Sequence, residues 1–214
     1  MKDKKPAPPT LVLLVRHGLT PTTGVKLPGR ARGLHLSDEG RRQAEAAAAR
    51  IAKIPKVVAV YSSPLERARE TAGFIAKARN MAVRIERGLL ELDIGKWTGM
   101  ALKDAGSKPE WKAVQQHPSG FRFEGGESFT EMQARITGAI ARMVARHPGR
   151  IIVAVSHADP IKAVVAHALG TPLDLFQRIM IGTASITAIA YSPSGAAVLT
   201  VNSMDGDLAA LGIK

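Results

Sequence analysis

The stretch Leu11-Val12-Leu13-Leu14-Val15-Arg16-His17-Gly18 decides how the rest of this chain is read. An unbroken apolar run, with no polar residue on alternate positions, is the mark of a strand buried on both faces. Such strands belong to sheets covered by helices on either side. The run stops abruptly at a cation, an imidazole and a glycine. Polar chemistry therefore begins where the strand ends, which is where open α/β sheets bind their ligands.

Working outward, the pattern recurs. Residues 57–61 and 151–155 are further buried-strand candidates, and 81–85 is another. Helical signals fill the gaps. Ser37-Asp38-Glu39 supplies an N-cap and two acids for a first turn, with Ala44, Ala47, Ala48 and Ile51 as the apolar stripe. Ser63-Pro64-Leu65-Glu66 reads as a capping box with proline at the first helical position, and Leu65, Ala68, Ala72 and Ile75 point inward. Ser128-Phe129-Thr130-Glu131 is a second box, opening a helix that buries Met132, Ile136, Ile140 and Met143. Asp159-Pro160 opens a helix carrying Ile161, Val164, Val165 and Leu169 and closed by Gly170, with Asp159 as its expected cap. Residues 185–191 and 196–202 alternate in polarity around Pro193-Ser194-Gly195, a hairpin. Strands alternating with helices predict an α/β fold, a three-layer α/β/α sandwich with a mostly parallel sheet.

Residues 1–9, rich in Lys and Pro, read as a disordered tail, and residues 10–214 as a single domain. Residues 86–127 break the alternation. They are Gly-rich, hold both tryptophans, and are expected to form an insertion covering the active-site end of the sheet.

Composition narrows the function. With no cysteine there is no thiolate nucleophile and no Cys-ligated metal. No segment approaches the roughly 18 apolar residues of a spanning helix, and the first apolar run is too short for a leader. A cytoplasmic protein with no membrane partner is expected. The net charge of +12 suits anionic partners. The charges are spread over several helices without a nucleic-acid motif, so the expected partner is a phosphorylated small molecule and not nucleic acid. A homodimer is left open.

Arg16 and His17 follow the first strand, and Ser156-His157 follows the last of the apolar runs. Phosphoryl transfer needs a nucleophile, cations around the equatorial oxygens and an acid for the leaving oxygen. A neutral imidazole supplies the nucleophile without a metal. Arg67 lies in the first turn of its helix, where the dipole disfavours a cation unless an anion binds beside it. Glu91, in Leu89-Leu90-Glu91-Leu92, has apolar neighbours that would raise its pKa toward that of a general acid. Each residue alone also has a plain structural reading, as a strand-end histidine, a solvated arginine or a loop acid.

Their order along the chain resembles the histidine phosphatase superfamily, also called phosphoglycerate mutase-like. Leu14-Val15-Arg16-His17-Gly18 with Thr20 is similar to its Arg-His-Gly signature. Leu36-Ser37, Gly40 and Gln43-Ala44 resemble its next block, and Ser62-Ser63-Pro64-Leu65-Glu66-Arg67-Ala68 with Thr71-Ala72 its second-arginine motif. Glu91, Gly95, Trp97 and Gly99 match its acid motif; Gly125-Gly126-Glu127-Ser128 and Val155-Ser156-His157 match the last two. The likeness spans roughly residues 11–202. It implies that His17 becomes phosphohistidine, that Arg16, Arg67 and His157 grip phosphoryl oxygens, and that Glu91 protonates the leaving oxygen and then activates water. It makes Glu127 and Ser128 candidates for site contacts. It implies no cofactor and no metal.

This chain departs from the family pattern in three places. Leu19 stands where Glu is common. Thr23 stands where Asn is common, and its hydroxyl would have to replace the amide as a phosphate donor. Ala158-Asp159-Pro160 replaces a Gly-rich turn after His157, leaving Ala158 as a candidate substrate contact. A similar Ser-His-Ala-Asp-Pro-Ile-Lys run marks a largely actinobacterial branch labelled as phosphomutases. Against a mutase, the acid motif Glu91-Leu92-Asp93-Ile94 lacks the tyrosine that glycolytic mutases place there. The expected function is a phosphomonoester hydrolase; the alternatives are a phosphomutase and a non-catalytic basic binding protein on the same fold. His35, His117, His147 and His167 match no motif and lack the helical spacing of a zinc site.

Overall fold

The computed structural model describes residues 8–208. The tail expected at residues 1–9 lies almost wholly outside them. A 6-stranded sheet in the order β3-β2-β4-β1-β5-β6 forms the middle layer. The strands are β1 (Thr10–Arg16), β2 (Val57–Ser62), β3 (Val83–Ile85), β4 (Ile151–Ser156), β5 (Ile186–Ser192) and β6 (Gly195–Ser203). β1, β4, β2 and β3 run parallel, and the β5–β6 hairpin adds an antiparallel edge to β1.

The first apolar run explains the layering. Val12 and Leu14 face one apolar cluster, and Leu11, Leu13 and Val15 face another. Period-two alternation thus gives each sheet face its own core. Helices α1 (Asp38–Ala52) and α2 (Glu66–Ala78) cover the second cluster with Ala47, Ala48, Ile51, Ala68, Ala72 and Ile75. Helices α5 (Phe129–Arg146) and α6 (Ala158–Leu169) cover the first with Met132, Ile136, Ile140, Ile161 and Val164. Cutting a fully buried Leu14 back to Ala would cost about 2–5 kcal/mol. Among the described residues no helix is long and apolar enough to cross a membrane.

Ser37 caps α1 by accepting from the Gly40 N–H, and Ser128 and Glu131 close both arms of a capping box on α5. Gly170, in the left-handed region at φ 67°, ends α6. Two expected caps are not made. Helix α2 starts at Glu66 with Leu65 in the N-cap position, so Ser63 and Pro64 precede it. The Ser63 hydroxyl is engaged by His157 instead, at 2.8 Å. Helix α6 starts at Ala158 with His157 as its N-cap residue and no side-chain cap. Asp159 is therefore already inside the first turn, where it pairs with Lys162 at 3.2 Å. The strand expected at 81–85 shrinks to Val83–Ile85, an exposed edge with little apolar surface to bury.

Between β3 and α5 lie α3 (Leu102–Gly106), α4 (Trp111–Gln116) and short 3-10 turns. Their core is aromatic. Trp97 stacks on Trp111 with centroids 6.3 Å apart and meets Phe123 edge-on at 5.3 Å. Trp97 and Phe123 join the α5/α6 cluster, which anchors this segment to the body.

Candidate active site

The register of the two central strands builds the site. Arg16 on β1 pairs with Ser156 on β4, so the residues that follow them, His17 and His157, emerge side by side. Their rings lie 5.1 Å apart at 63°. Two close glycines seat the loop after His17. A Cβ on Gly18 would come within 2.3 Å of the Gly40 carbonyl oxygen, and one on Gly40 within 2.0 Å of the Leu19 oxygen. The loop therefore packs backbone to backbone on the start of α1. Side chains fix it further: Gly18 N–H donates to Thr71 Oγ1 at 3.1 Å, and Leu19 N–H to Gln43 Oε1 at 3.0 Å.

His17 Nδ1 lies 2.8 Å from the Gly18 carbonyl, which can only accept, so Nδ1 carries the proton. Nε2 is left with its lone pair and accepts from Arg67 Nε at 3.2 Å. Burial, then Arg67 and Arg16, push the His17 pKa well below 6.5, and the ring is neutral at physiological pH.

Arg67 is wholly buried, and a buried cation is costly unless it is compensated. Its Nη2 donates to Gly29 O at 2.8 Å, and its Nη1 has no hydrogen-bond partner among the described residues. Arg16 Nη1 donates to Ile181 O at 2.7 Å, while its Nε is likewise buried without a partner. Burial lowers both arginine pKa values, against the attraction of Glu91. His157, also 0% exposed, has Nε2 2.8 Å from Ser63 Oγ and an Nδ1 with no hydrogen-bond partner. Burial, then Arg67, keep its ring neutral as well. Arg16 Nε, Arg67 Nη1 and His157 Nδ1 are thus three buried nitrogens with no hydrogen-bond partner among the described residues.

Glu91 completes the group. Its Oε2 is 4.0 Å from His157 Nδ1, and its Oε1 accepts the Leu92 N–H at 3.0 Å. Burial first, and then the charge of Asp159, raise its pKa to about 7, against Arg67 and Arg16. The structure thus gathers Arg16, His17, Arg67, Glu91 and His157 at the C-terminal strand ends. Ala158, the first residue of α6, sits where a helix leaves its N–H groups free. The Thr23 hydroxyl accepts the Thr20 N–H at 3.0 Å and contacts Thr20 Oγ1 at 2.9 Å. Ser128 serves as the α5 cap, and Glu127 pairs with Arg30 and Arg135. A cavity of 350 Å³ beside Leu90 is lined by Arg30, Arg32, Glu66 and Arg87.

Sequence reasoning passed over Ser63, Arg30 and Arg135. Ser63 imitates a helix cap, and an arginine within a basic chain carries no signal of its own. The partners that give these residues their roles are distant in sequence. Among the described residues no group of three or more His, Asp or Glu gathers to hold a metal ion.

A family model described as the histidine phosphatase superfamily (branch 1) matches residues 12–204. Phosphoserine phosphatase 1 of Hydrogenobacter thermophilus is 32% identical over 196 residues, covering 89% of this chain and 91% of its own length. A bifunctional protein of Mycobacterium tuberculosis is 30% identical over 201 residues, 94% of this chain. The chain spans only 55% of that relative's length. A solved mycobacterial glucosyl-3-phosphoglycerate phosphatase superposes with a TM-score of 0.80 at 26% identity, covering 90% of this chain and 98% of that one.

Proposed function

The chain belongs to the histidine phosphatase superfamily, branch 1, and from that premise we propose that it is a metal-independent phosphomonoester hydrolase with His17 as its nucleophile. One observation carries the reading. Buried Arg16 Nε, Arg67 Nη1 and His157 Nδ1 have no hydrogen-bond partner among the described residues, and their side chains are grouped with a neutral imidazole: Arg67 donates to His17 Nε2, and the His157 ring lies 5.1 Å from that of His17. A tetrahedral dianion with three equatorial oxygens satisfies all three at once.

In the first step His17 Nε2 attacks phosphorus while the bond to the leaving oxygen breaks. Arg67 turns its Nε–H from the imidazole to a phosphoryl oxygen, and the Gly18 carbonyl holds the proton on Nδ1 as positive charge develops. Glu91, with a pKa near 7, gives its proton to the leaving oxygen. In the second step the Glu91 carboxylate takes a proton from water, whose oxygen attacks phosphorus and releases phosphate and free His17. Arg16, Arg67 and His157 hold the phosphoryl group through both steps, with the Ala158 N–H as a further donor. Thr23 acts indirectly, by ordering the loop at Thr20. The cavity lined by Arg30, Arg32, Arg87 and Glu66 borders Leu90, the residue before Glu91, and its excess of arginines suits an alcohol that carries its own negative charge.

Water is the acceptor in this reading; a mutase would return the phosphoryl group to a bound alcohol. Trapping with a ³²P-labelled substrate, quenched in alkaline denaturant, tests it. An acid-labile, alkali-stable phosphoenzyme is expected, absent in His17→Ala, with phosphate release outpacing any isomerisation of 3-phosphoglycerate. Full activity of His17→Ala would remove the mechanism. Fast 2-phosphoglycerate formation with little free phosphate would move the chain to the mutases.

A further inference from the structure

Four successive carbonyls lead up to the acid, and each is held by a side chain from elsewhere in the fold. Gly88 O accepts from Arg135 Nη1 at 2.9 Å, and Leu89 O accepts from the buried Ser156 hydroxyl at 2.8 Å. Leu90 O accepts from Arg135 Nη1 at 2.9 Å. Glu91 O accepts from Arg135 Nη2 at 3.2 Å and from Arg30 Nε at 2.8 Å, which uses both of its lone pairs.

The two arginines are tied to each other through Glu127. Arg135 meets that carboxylate bidentately, Nε at 2.7 Å and Nη2 at 2.9 Å. Arg30 Nη2 reaches Glu127 Oε2 at 2.7 Å, and the Asp93 N–H donates to the same oxygen at 3.2 Å. A guanidinium has five N–H groups in a fixed fork, and Arg135 uses all of them. Its side chain is 20% exposed. Two glycines allow the approach that this requires. A Cβ on Gly126 would lie 2.2 Å from Asp93 O, and one on Gly95 would lie 2.0 Å from Glu124 O.

A hydrolytic site needs its acid held to within about 0.5 Å of a productive position. A glutamate on an irregular segment has no regular backbone to do that. We propose that Arg135, braced by Glu127, is a positioning residue that holds the Glu91 carboxyl against the reacting oxygen by fixing its main chain. This rests on Glu91 being the proton donor. Arg135 touches no substrate in this account and acts only through Glu91. Burial would raise the Glu127 pKa, but Arg135, the Asp93 N–H and Arg30 together hold it below the ordinary carboxyl value, which agrees with a permanently ionised brace.

The test is a double-mutant cycle with a leaving-group readout. Arg135→Gln and Arg135→Lys are assayed on an alkyl phosphate and on p-nitrophenyl phosphate, in the native and Glu91→Gln backgrounds. Arg135→Gln is expected to lose on the order of 10-fold more kcat on the alkyl ester than on the nitrophenyl ester. Arg135→Lys, which keeps the charge but not the fork, should fall between. In the Glu91→Gln background the excess loss should vanish. Equal loss on both esters, or additive loss with Glu91→Gln, overturns the proposal and leaves Arg135 a structural tie.

A second readout does not depend on turnover. The ¹³C resonance of the Glu91 carboxyl should titrate near 7 in the native protein and lower in folded Arg135→Lys, as the loosened carboxyl gains water. An unchanged midpoint overturns the proposal. If Glu91→Gln itself shows no dependence on the leaving group, the proton-donor reading fails separately, and the titration still decides whether Arg135 holds the carboxyl.

Discussion

Arg67 Nε lies 3.2 Å from His17 Nε2, so a buried guanidinium donates to the one imidazole nitrogen that the Gly18 carbonyl leaves unprotonated. The contact falls on the nitrogen proposed as the nucleophile and disfavours its protonation. A proton on Nε2 would set two donors against each other in a site already crowded with positive charge.

The pH profile follows from that contact and from Glu91. His17 is neutral well below pH 6.5, so it imposes no loss of activity just under neutrality. As the proposed proton donor Glu91 would have to hold its proton, so kcat on alkyl phosphates should fall as pH rises through about 7. Burial is the main cause of that raised value and Asp159 the second, with Arg67 and Arg16 opposing. Asp159→Asn removes a negative charge, makes ionisation of Glu91 easier, and should shift the alkaline limb to lower pH. An unmoved limb in a pH–rate series would show that Asp159 serves only Lys162 and the helix.

The same shift has a stability consequence. The folded state keeps the Glu91 proton to about 7, whereas an ordinary carboxyl releases it near 4.5. The unfolded chain therefore binds fewer protons between those values, and this group's contribution falls as pH rises across them. Denaturant unfolding of the native protein and of Glu91→Gln across that window should show the slope in the former and its loss in the latter.

Ser63 should matter to catalysis and little to α2. Its oxygen accepts the Leu65 N–H at 3.4 Å and lies 2.8 Å from His157 Nε2. A hydroxyl donating to Nε2 keeps the His157 proton on Nδ1, toward the phosphoryl site. Ser63→Ala is expected to lower kcat/KM on the order of 10-fold, because the hydrogen bond that orients the His157 ring and fixes its tautomer is lost, with Tm nearly unchanged. A large fall in Tm with kcat/KM intact would restore the helix-cap reading.

Much of this was legible in the sequence, and the remainder has a physical reason for being hidden. Unbroken apolar runs gave away β1, β2 and β4, because strands buried on both faces admit few polar residues. Arg16, His17, Arg67, Glu91 and His157 stood out only as a set, because their motifs follow the order of the histidine phosphatase pattern; each alone reads as an ordinary strand-end, helix-start or loop residue. Ser63 misled because Ser-Pro-Leu-Glu satisfies the local grammar of a capping box, while its actual partner, His157, comes from another strand. Asp159 misled for a related reason. The helix begins at Ala158, so the residue that looked like its cap falls inside it. Arg135 and Arg30 could not be read at all, since their meaning lies in carbonyls brought to them by the tertiary fold.

Gly40→Ala should disable the protein without touching a charged group. The new methyl would press on the Leu19 carbonyl, which is backbone and cannot swing away. Either α1 shifts or the loop bearing His17 does. Thermal unfolding should register a loss of about 1–3 kcal/mol, as for an overpacked core, with a fall in kcat beyond what the unfolded fraction explains. Native activity at native Tm would show that the loop relaxes freely.

The pairing of Arg16 with Ser156 also sets when activity can appear during refolding. His17 and His157 lie far apart in the sequence and meet only once the parallel β1–β4 ladder has closed, a non-local step that pays its loop entropy first. Helices α1, α2, α5 and α6 can form from local contacts long before. Helical circular dichroism should therefore recover ahead of phosphatase activity, making catalysis a reporter of the closure of that ladder and not of compactness.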